Sequence, residues 1–195
     1  MSHKFHINKI ENLIDEMANN SIITSDDLPQ YDLFLSQVID FLNDKFLEDK
    51  YTNNIVQNYI KSEVITKPED GKKRGYTKLH LAQLVLLSYM RPVLTTEEIK
   101  KVFHLAFNEI NDRSDDIISW ESAFQIFSEI QQDSFDTFLK SSIVDNDKLD
   151  KTIENLNLEE KDKQRIQIFI IVISLVAQAS AIKTLVRRIV SEYNE

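Results

Sequence analysis

Cysteine is absent from the chain. Its absence excludes disulfides, thiolate metal sites, cysteine nucleophiles and thiol redox sensing, and it suits a reducing cytoplasm, the expected location. Glycine occurs twice and proline three times in 195 residues. With so few breakers, long helices are expected rather than many tight-turned strands. No long apolar run follows the opening Met1-Ser2-His3-Lys4-Phe5-His6, so no signal peptide is expected. Positive charge is in deficit too. The net charge of −9 argues against a nonspecific nucleic-acid coat.

What is present belongs to an ordinary globular protein, with 42% apolar and 28% charged residues and enough length for a real core. The charge is uneven. Residues 1–50 carry −6, residues 51–113 carry +3 and residues 114–195 carry −6. A locally positive island between acidic flanks is compatible with a segment that faces phosphates.

Apolar spacing places the elements. Phe5, Ile7, Ile10, Leu13, Ile14 and Met17 predict an amphipathic helix. Ser25-Asp26-Asp27-Leu28-Pro29 is a start signal, and the next helix is expected from about Tyr31 to Leu47, with Phe34, Leu35, Val38, Phe41, Leu42 and Phe46 on one stripe. Thr52 caps a helix of about ten residues. Val64-Ile65 reads as a short strand or extended piece, and Pro68, Gly71 and Gly75 bracket a turn that carries Lys67, Lys72, Lys73 and Arg74. A two-stranded wing is expected there, because glycine supplies the positive φ of tight hairpins. Thr77 caps a helix that is apolar nearly all round, hence buried. Thr95-Thr96-Glu97-Glu98 is a capping box that opens a helix expected to reach Ile110. Ser119 caps a helix holding Trp120, Phe124, Phe127 and Ile130. Phe135, Phe138 and Leu139 read as a separate short helix, and Asp145-Asn146-Asp147 as a break. Asn157-Leu158-Glu159-Glu160 opens the last helix, about 159 to 192.

Asn54, Gln57, Asn58 and Lys61 follow the spacing i, i+3, i+4, i+7 and share one helix face. Asn and Gln pair bidentately with adenine in the major groove, and Lys reaches guanine or phosphate. The competing reading is a solvated face. Lys72, Lys73 and Arg74 on the adjacent turn suit phosphates that set the register of such a helix, or simply a soluble loop.

Residues 52–103 resemble the winged helix-turn-helix of the MerR class of bacterial regulators. Tyr59 fits the aromatic near the end of the recognition helix, Val64-Ile65 the aliphatic pair, and Tyr76-Thr77 with Leu81 and Leu84 the start of the following helix. The stretch Leu94 to Lys101 fits the last, capped helix. Three positions depart from the pattern. Gln57 stands where arginine is usual, Glu63 stands where glycine is usual, and Pro68 falls one place late. The chain is also similar, from Leu28-Pro29 through Phe103, to an uncharacterised bacterial family, domain of unknown function 1836. The resemblance runs through Asp32, Gln37-Val38, Asn58-Tyr59-Ile60-Lys61, Tyr76-Thr77-Lys78 and Glu98-Ile99-Lys100. That resemblance implies a MerR-like DNA-binding fold and no established activity.

The last helix admits three readings. A transmembrane span is disfavoured by Gln167 and Gln178 and by the bounding Arg165 and Lys183, since about 20 apolar residues are needed. A core helix of a bundle and a dimer interface remain, and they are compatible with each other. The aromatics Phe103, Phe107, Trp120, Phe124, Phe127, Phe135 and Phe138 read as core, or as the lining of an effector pocket. His3 and His6, His80 and His104 lack metal-ligand partners, and no calcium loop, phosphate loop, nucleophile elbow or Ser/His/Asp set is present. No enzyme activity, metal or cofactor is expected.

The expectation is therefore an all-α protein with three regions. Residues 1–27 form an N-terminal helix, residues 28–113 a MerR-like winged helix-turn-helix with a short β wing, and residues 114–195 a C-terminal helical bundle. The expected function is a cytoplasmic DNA-binding transcriptional regulator without a membrane partner. It binds double-stranded DNA through Asn54, Gln57, Asn58, Lys61, Lys72, Lys73 and Arg74, and it forms a homodimer through the C-terminal helices, because palindromic sites call for two-fold proteins. The alternative is a helical protein–protein interaction module that keeps the fold without binding DNA.

Overall fold

In the computed structural model of the chain, residues 12–13, 23–68, 75–140, 146–156 and 158–193 are described. They contain seven helices: α1 (Leu35–Lys45), α2 (Asn53–Lys61), α3 (Lys78–Met90), α4 (Thr96–Phe103), α5 (Trp120–Lys140), α6 (Asn146–Glu154) and α7 (Glu160–Glu192). Isolated antiparallel bridges join Leu33 to Tyr76 and Glu109 to Asp112, and no strand occurs among the described residues. The chain is all-α. Val64-Ile65 is a buried bend rather than a strand. The tip of the expected wing, 69–74, lies outside the described residues, as does the expected N-terminal helix apart from the helical pair Asn12 and Leu13. Two compact units form, one of Asn20–Gln132 with Val190–Glu195 and one of Met1–Asn19 with Asp133–Ile189.

In the first unit, α1 starts four residues later than its apolar stripe suggests. Leu33 is held in an extended bridge, its N–H donating to the Tyr76 carbonyl at 2.8 Å, and the helix cannot begin until the chain leaves that bridge. The Gln37 side chain then accepts the Phe34 N–H at 3.0 Å, satisfying one of the backbone groups at the helix start. Val38 and Leu42 are wholly buried, each worth about 1.5–3 kcal/mol of transfer free energy. The link to α2 is fixed by Asn43. Its amide accepts the Tyr51 N–H at 2.6 Å and donates to the Tyr51 carbonyl at 3.1 Å, as a neighbouring strand would.

The centre of this unit is α3. Nine of its 13 residues are buried, as its all-round apolarity predicts. Three of the nine are polar. Ser88 bonds the Tyr51 hydroxyl at 2.8 Å. His80 turns back to accept the Thr77 N–H at 3.1 Å, taking the place a Glu holds in a capping box. Gln83 accepts the Thr66 N–H at 2.9 Å and donates to the Thr66 hydroxyl at 2.8 Å, and that hydroxyl donates to the Ile110 carbonyl at 2.8 Å. The network satisfies groups that would otherwise be buried without partners, at about 1–3 kcal/mol each.

The capping box of α4 forms as its sequence suggests. Thr95 Oγ1 accepts the Glu98 N–H at 3.3 Å, and the Glu98 carboxylate accepts the Thr95 N–H at 2.7 Å. The helix ends at Phe103, short of the expected Ile110, because the chain turns to bring Phe107 flat against Trp120, with ring centroids 3.5 Å apart. Phe103 meets the same indole edge-on at 5.0 Å. The aromatics Phe103, Phe107, Trp120 and Phe124 are thus buried core, and the side chains of Phe135 and Phe138 lie outside the described residues. Ser119 accepts the Ser122 N–H at 3.1 Å at the start of α5. That helix runs unbroken to Lys140, which corrects the expected division before Phe135: nothing between Gln131 and Ser134 is a breaker.

In the second unit, α6 begins within the stretch expected as a break. Its Leu149 and Ile153, one turn apart, bury themselves against Ile171 of α7, bordered by Ile166, Ile170 and Leu175. The Gln167 amide donates to Asp150 at 2.7 Å. Most of α7 is otherwise exposed, including Val176, Ile182 and Leu185. By length and composition α7 is sufficient to cross a membrane, with a mean hydropathy of 2.1 over its best 18 residues, of which 6% are buried.

Candidate nucleic-acid interface

The helix α2 is rigidly framed at both ends. Thr52 Oγ1 accepts the Ile55 N–H at 3.4 Å, as a threonine N-cap should. At the other end the Val64 N–H bonds the Tyr59 carbonyl at 2.9 Å and the Glu63 N–H bonds the Ile60 carbonyl at 3.1 Å. These are the paired bonds of a Schellman motif, which requires a left-handed residue at the position after the cap. Glu63 fills it with φ 54°, the left-handed region that glycine enters without steric cost. Val56 is wholly buried on one side of the helix. On the other side Asn54, Asn58 and Lys61 are exposed.

Gln57 differs from its three neighbours. It is half-buried, and its amide donates to the Tyr76 hydroxyl at 3.4 Å. Tyr76 is pinned from several directions. Its backbone pairs with Leu33, at 2.8 Å one way and 3.3 Å the other, and its ring packs edge-on to His80 at 5.6 Å. Burial pushes its phenol above the usual tyrosine value, partly offset by the Gln57 bond. Sequence spacing could not reveal this partner, because it lies 19 residues away. Two residues after Tyr76, the Lys78 ammonium approaches the Gln30 amide oxygen at 3.5 Å.

Lys72, Lys73 and Arg74 lie outside the described residues. The described residues on either side of them are anchored. On the entering side Thr66 is held by Gln83, and the Lys67 N–H donates to Asn111 Oδ1 at 3.0 Å. On the leaving side Tyr76 is held by Leu33.

A cleft of about 320 Å³ beside the end of α4 is lined by Glu63, Lys100, His104, Asn108, Glu109, Ile110 and Asn111. Its ionisable side chains, Glu63, Lys100, His104 and Glu109, carry charges of both signs. No group of three or more His, Asp or Glu among the described residues is placed to hold a metal ion.

Residues 23–127 match the family model described as Domain of unknown function (DUF1836), more than half of the chain, and the chain belongs to that family. The match falls within the first unit and contains α1 to α4 and the start of α5. The chain is similar to the uncharacterized protein YkrK of Bacillus subtilis (strain 168), with 29% identity over 143 residues, which cover 66% of this chain and 60% of that relative. The chain thus spans less than two thirds of the relative's length. No solved structure matches it.

Proposed function

We propose that this protein is a cytoplasmic DNA-binding transcriptional regulator with a MerR-like winged helix-turn-helix. Asn54, Gln57, Asn58 and Lys61 enter the major groove on α2. Lys72, Lys73 and Arg74 hold phosphates from the wing. The observation that carries the reading is the outer face of α2: three exposed side chains suited to base edges and phosphates, on a helix capped at both ends. Glu63 adds support. It stands where the MerR pattern has its glycine, and it keeps glycine's left-handed backbone although the residue has changed. The regulator is two-fold in this proposal, paired through α7, since two-fold operators are matched by two-fold proteins.

The test is a salt titration of binding to a mixed duplex DNA pool. Replacing Lys72, Lys73 and Arg74 together with alanine removes three phosphate contacts and should flatten the slope of log affinity against log salt by about 2–3. An unchanged slope, or no wild-type binding at low salt, would sink the assignment. A second reading, a helical protein–protein interaction module on the same fold, draws on the exposed apolar residues of α7 and the net charge of −9. It gains if the wild type binds no duplex while α7 still recruits a partner.

A further inference from the structure

The Gln57 amide has more hydrogen-bonding capacity than one contact uses. Its nitrogen carries two protons and its oxygen two lone pairs. A glutamine that reads adenine uses one edge of the amide: the oxygen accepts from N6, and the proton on the same edge donates to N7. The second proton, on the far side of the nitrogen, points away from that edge and is free for a protein acceptor. The Tyr76 hydroxyl lies 3.4 Å from Gln57 Nε2, within reach of one of its protons.

From this geometry we infer that Tyr76 is a positioning residue for base reading by Gln57: its hydroxyl takes the amide's outer proton and leaves the adenine-reading edge turned outward. The inference rests on the DNA-binding reading of α2. Several features suit Tyr76 to the role. It is buried, 7% exposed, so its ring does not follow solvent. Its backbone is paired with Leu33, so the hydroxyl is fixed relative to α1 and α3. Its ring edge rests on His80, which is itself tied to the Thr77 N–H at 3.1 Å. The phenol stays neutral well into alkali because burial disfavours its charged form, so the acceptor does not change with pH in the working range. Asn54, Asn58 and Lys61 are exposed on the same face, and of the four Gln57 is the half-buried one. Its orientation is thereby set before DNA arrives, and less side-chain freedom is lost on binding.

The change Tyr76→Phe removes the hydroxyl and keeps the ring. The experiment is selection from a randomised duplex library, run in parallel on wild type, Tyr76→Phe and Gln57→Ala, together with a salt titration of each on the selected duplex. The wild type should enrich a motif in which one adenine is lost with Gln57→Ala. In Tyr76→Phe the preference at that adenine should fall from roughly tenfold to about threefold, while the other positions and the salt slope stay as in wild type. A side-chain amide relaxation measurement on the free protein complements it. The Gln57 NH2 group should be ordered in wild type and mobile in Tyr76→Phe. Full retention of the adenine preference in Tyr76→Phe would overturn the inference, and so would a motif with no adenine dependent on Gln57. A freely mobile Gln57 amide in the wild type overturns it even if Tyr76→Phe fails to fold. Failure of the wild type to bind any duplex is a separate outcome, and it removes the DNA-binding reading itself.

Discussion

At the scale of the residue, several polar groups buried inside the first unit meet polar partners. Tyr51 is the clearest case. Its ring is 2% exposed, its hydroxyl meets Ser88 at 2.8 Å, and the Arg91 guanidinium lies 4.6 Å from the ring centroid. Burial pushes its phenol above the usual tyrosine value, against the opposing pull of Ser88 and Arg91. Tyr76 and Tyr89 are raised by burial in the same way. Above the unfolded phenol value the unfolded chain gives up protons that the folded chain retains, so folding stability must fall as pH rises beyond about 10. Tyr51→Phe should remove part of that alkaline decline. It should also lower stability near neutrality by about 1 kcal/mol, the usual worth of a hydrogen bond. Urea unfolding of both proteins from pH 8 to 11 checks it. A decline equally steep in Tyr51→Phe would show that this phenol is not among the groups responsible.

At the scale of the element, the instructive case is the end of α2, where Glu63 holds a left-handed conformation inside a Schellman motif. That conformation costs a residue with a Cβ about 1–2 kcal/mol, and glycine returns roughly 0.5–1 kcal/mol of the gain through its freer unfolded state. Glu63→Gly should therefore stabilise the protein by about 0.5–1 kcal/mol. For a chain of this size that is a rise of about 1–4 °C in Tm, measurable by scanning calorimetry. A drop would mean that the Glu63 side chain, which borders the cleft with Lys100 and His104, contributes more than its backbone costs. The same element shows what sequence can reveal. Local chemistry was legible: Thr52, Thr95 and Ser119 cap the helices they were expected to cap, and the buried character of α3 followed from its composition. Long-range pairing was not. The late start of α1 depends on Leu33 meeting Tyr76, and the early end of α4 depends on Phe107 meeting Trp120. α6 was missed because its acidic start resembles a turn until Leu149 and Ile153 find Ile171. In the candidate interface the shared face of Asn54, Gln57, Asn58 and Lys61 followed from helical spacing alone, whereas the tether from Gln57 to Tyr76 joins separate elements and left no periodic trace.

At the scale of the whole molecule, α7 is the most open apolar surface among the described residues. Its best 18 residues have a mean hydropathy of 2.1 and are 6% buried, so a long apolar helix stands open to solvent over most of its length. Its 33 residues span roughly 50 Å. Soluble proteins rarely leave such a face uncovered, because each exposed aliphatic side chain forgoes about 1.5–3 kcal/mol of burial. A second copy is the covering that the DNA-binding proposal requires. Ile182, Leu185 and Ile189 follow the spacing 3, 4 along the helix and are all exposed, which suits a seam between two helices. On this proposal the wild type sediments as a dimer at micromolar concentration. Ile182→Lys with Leu185→Lys keeps two good helix formers but sets charges into the seam. That variant should sediment as a monomer and bind duplex DNA at least about tenfold more weakly, since two linked half-sites gain from a high effective concentration that separate ones lack. Sedimentation equilibrium combined with duplex titration reads both effects. A monomeric wild type that binds DNA undiminished would show that α7 pairs no subunits. Flotation of the wild type, but not of the variant, with phosphatidylglycerol vesicles would show that lipid covers the face instead.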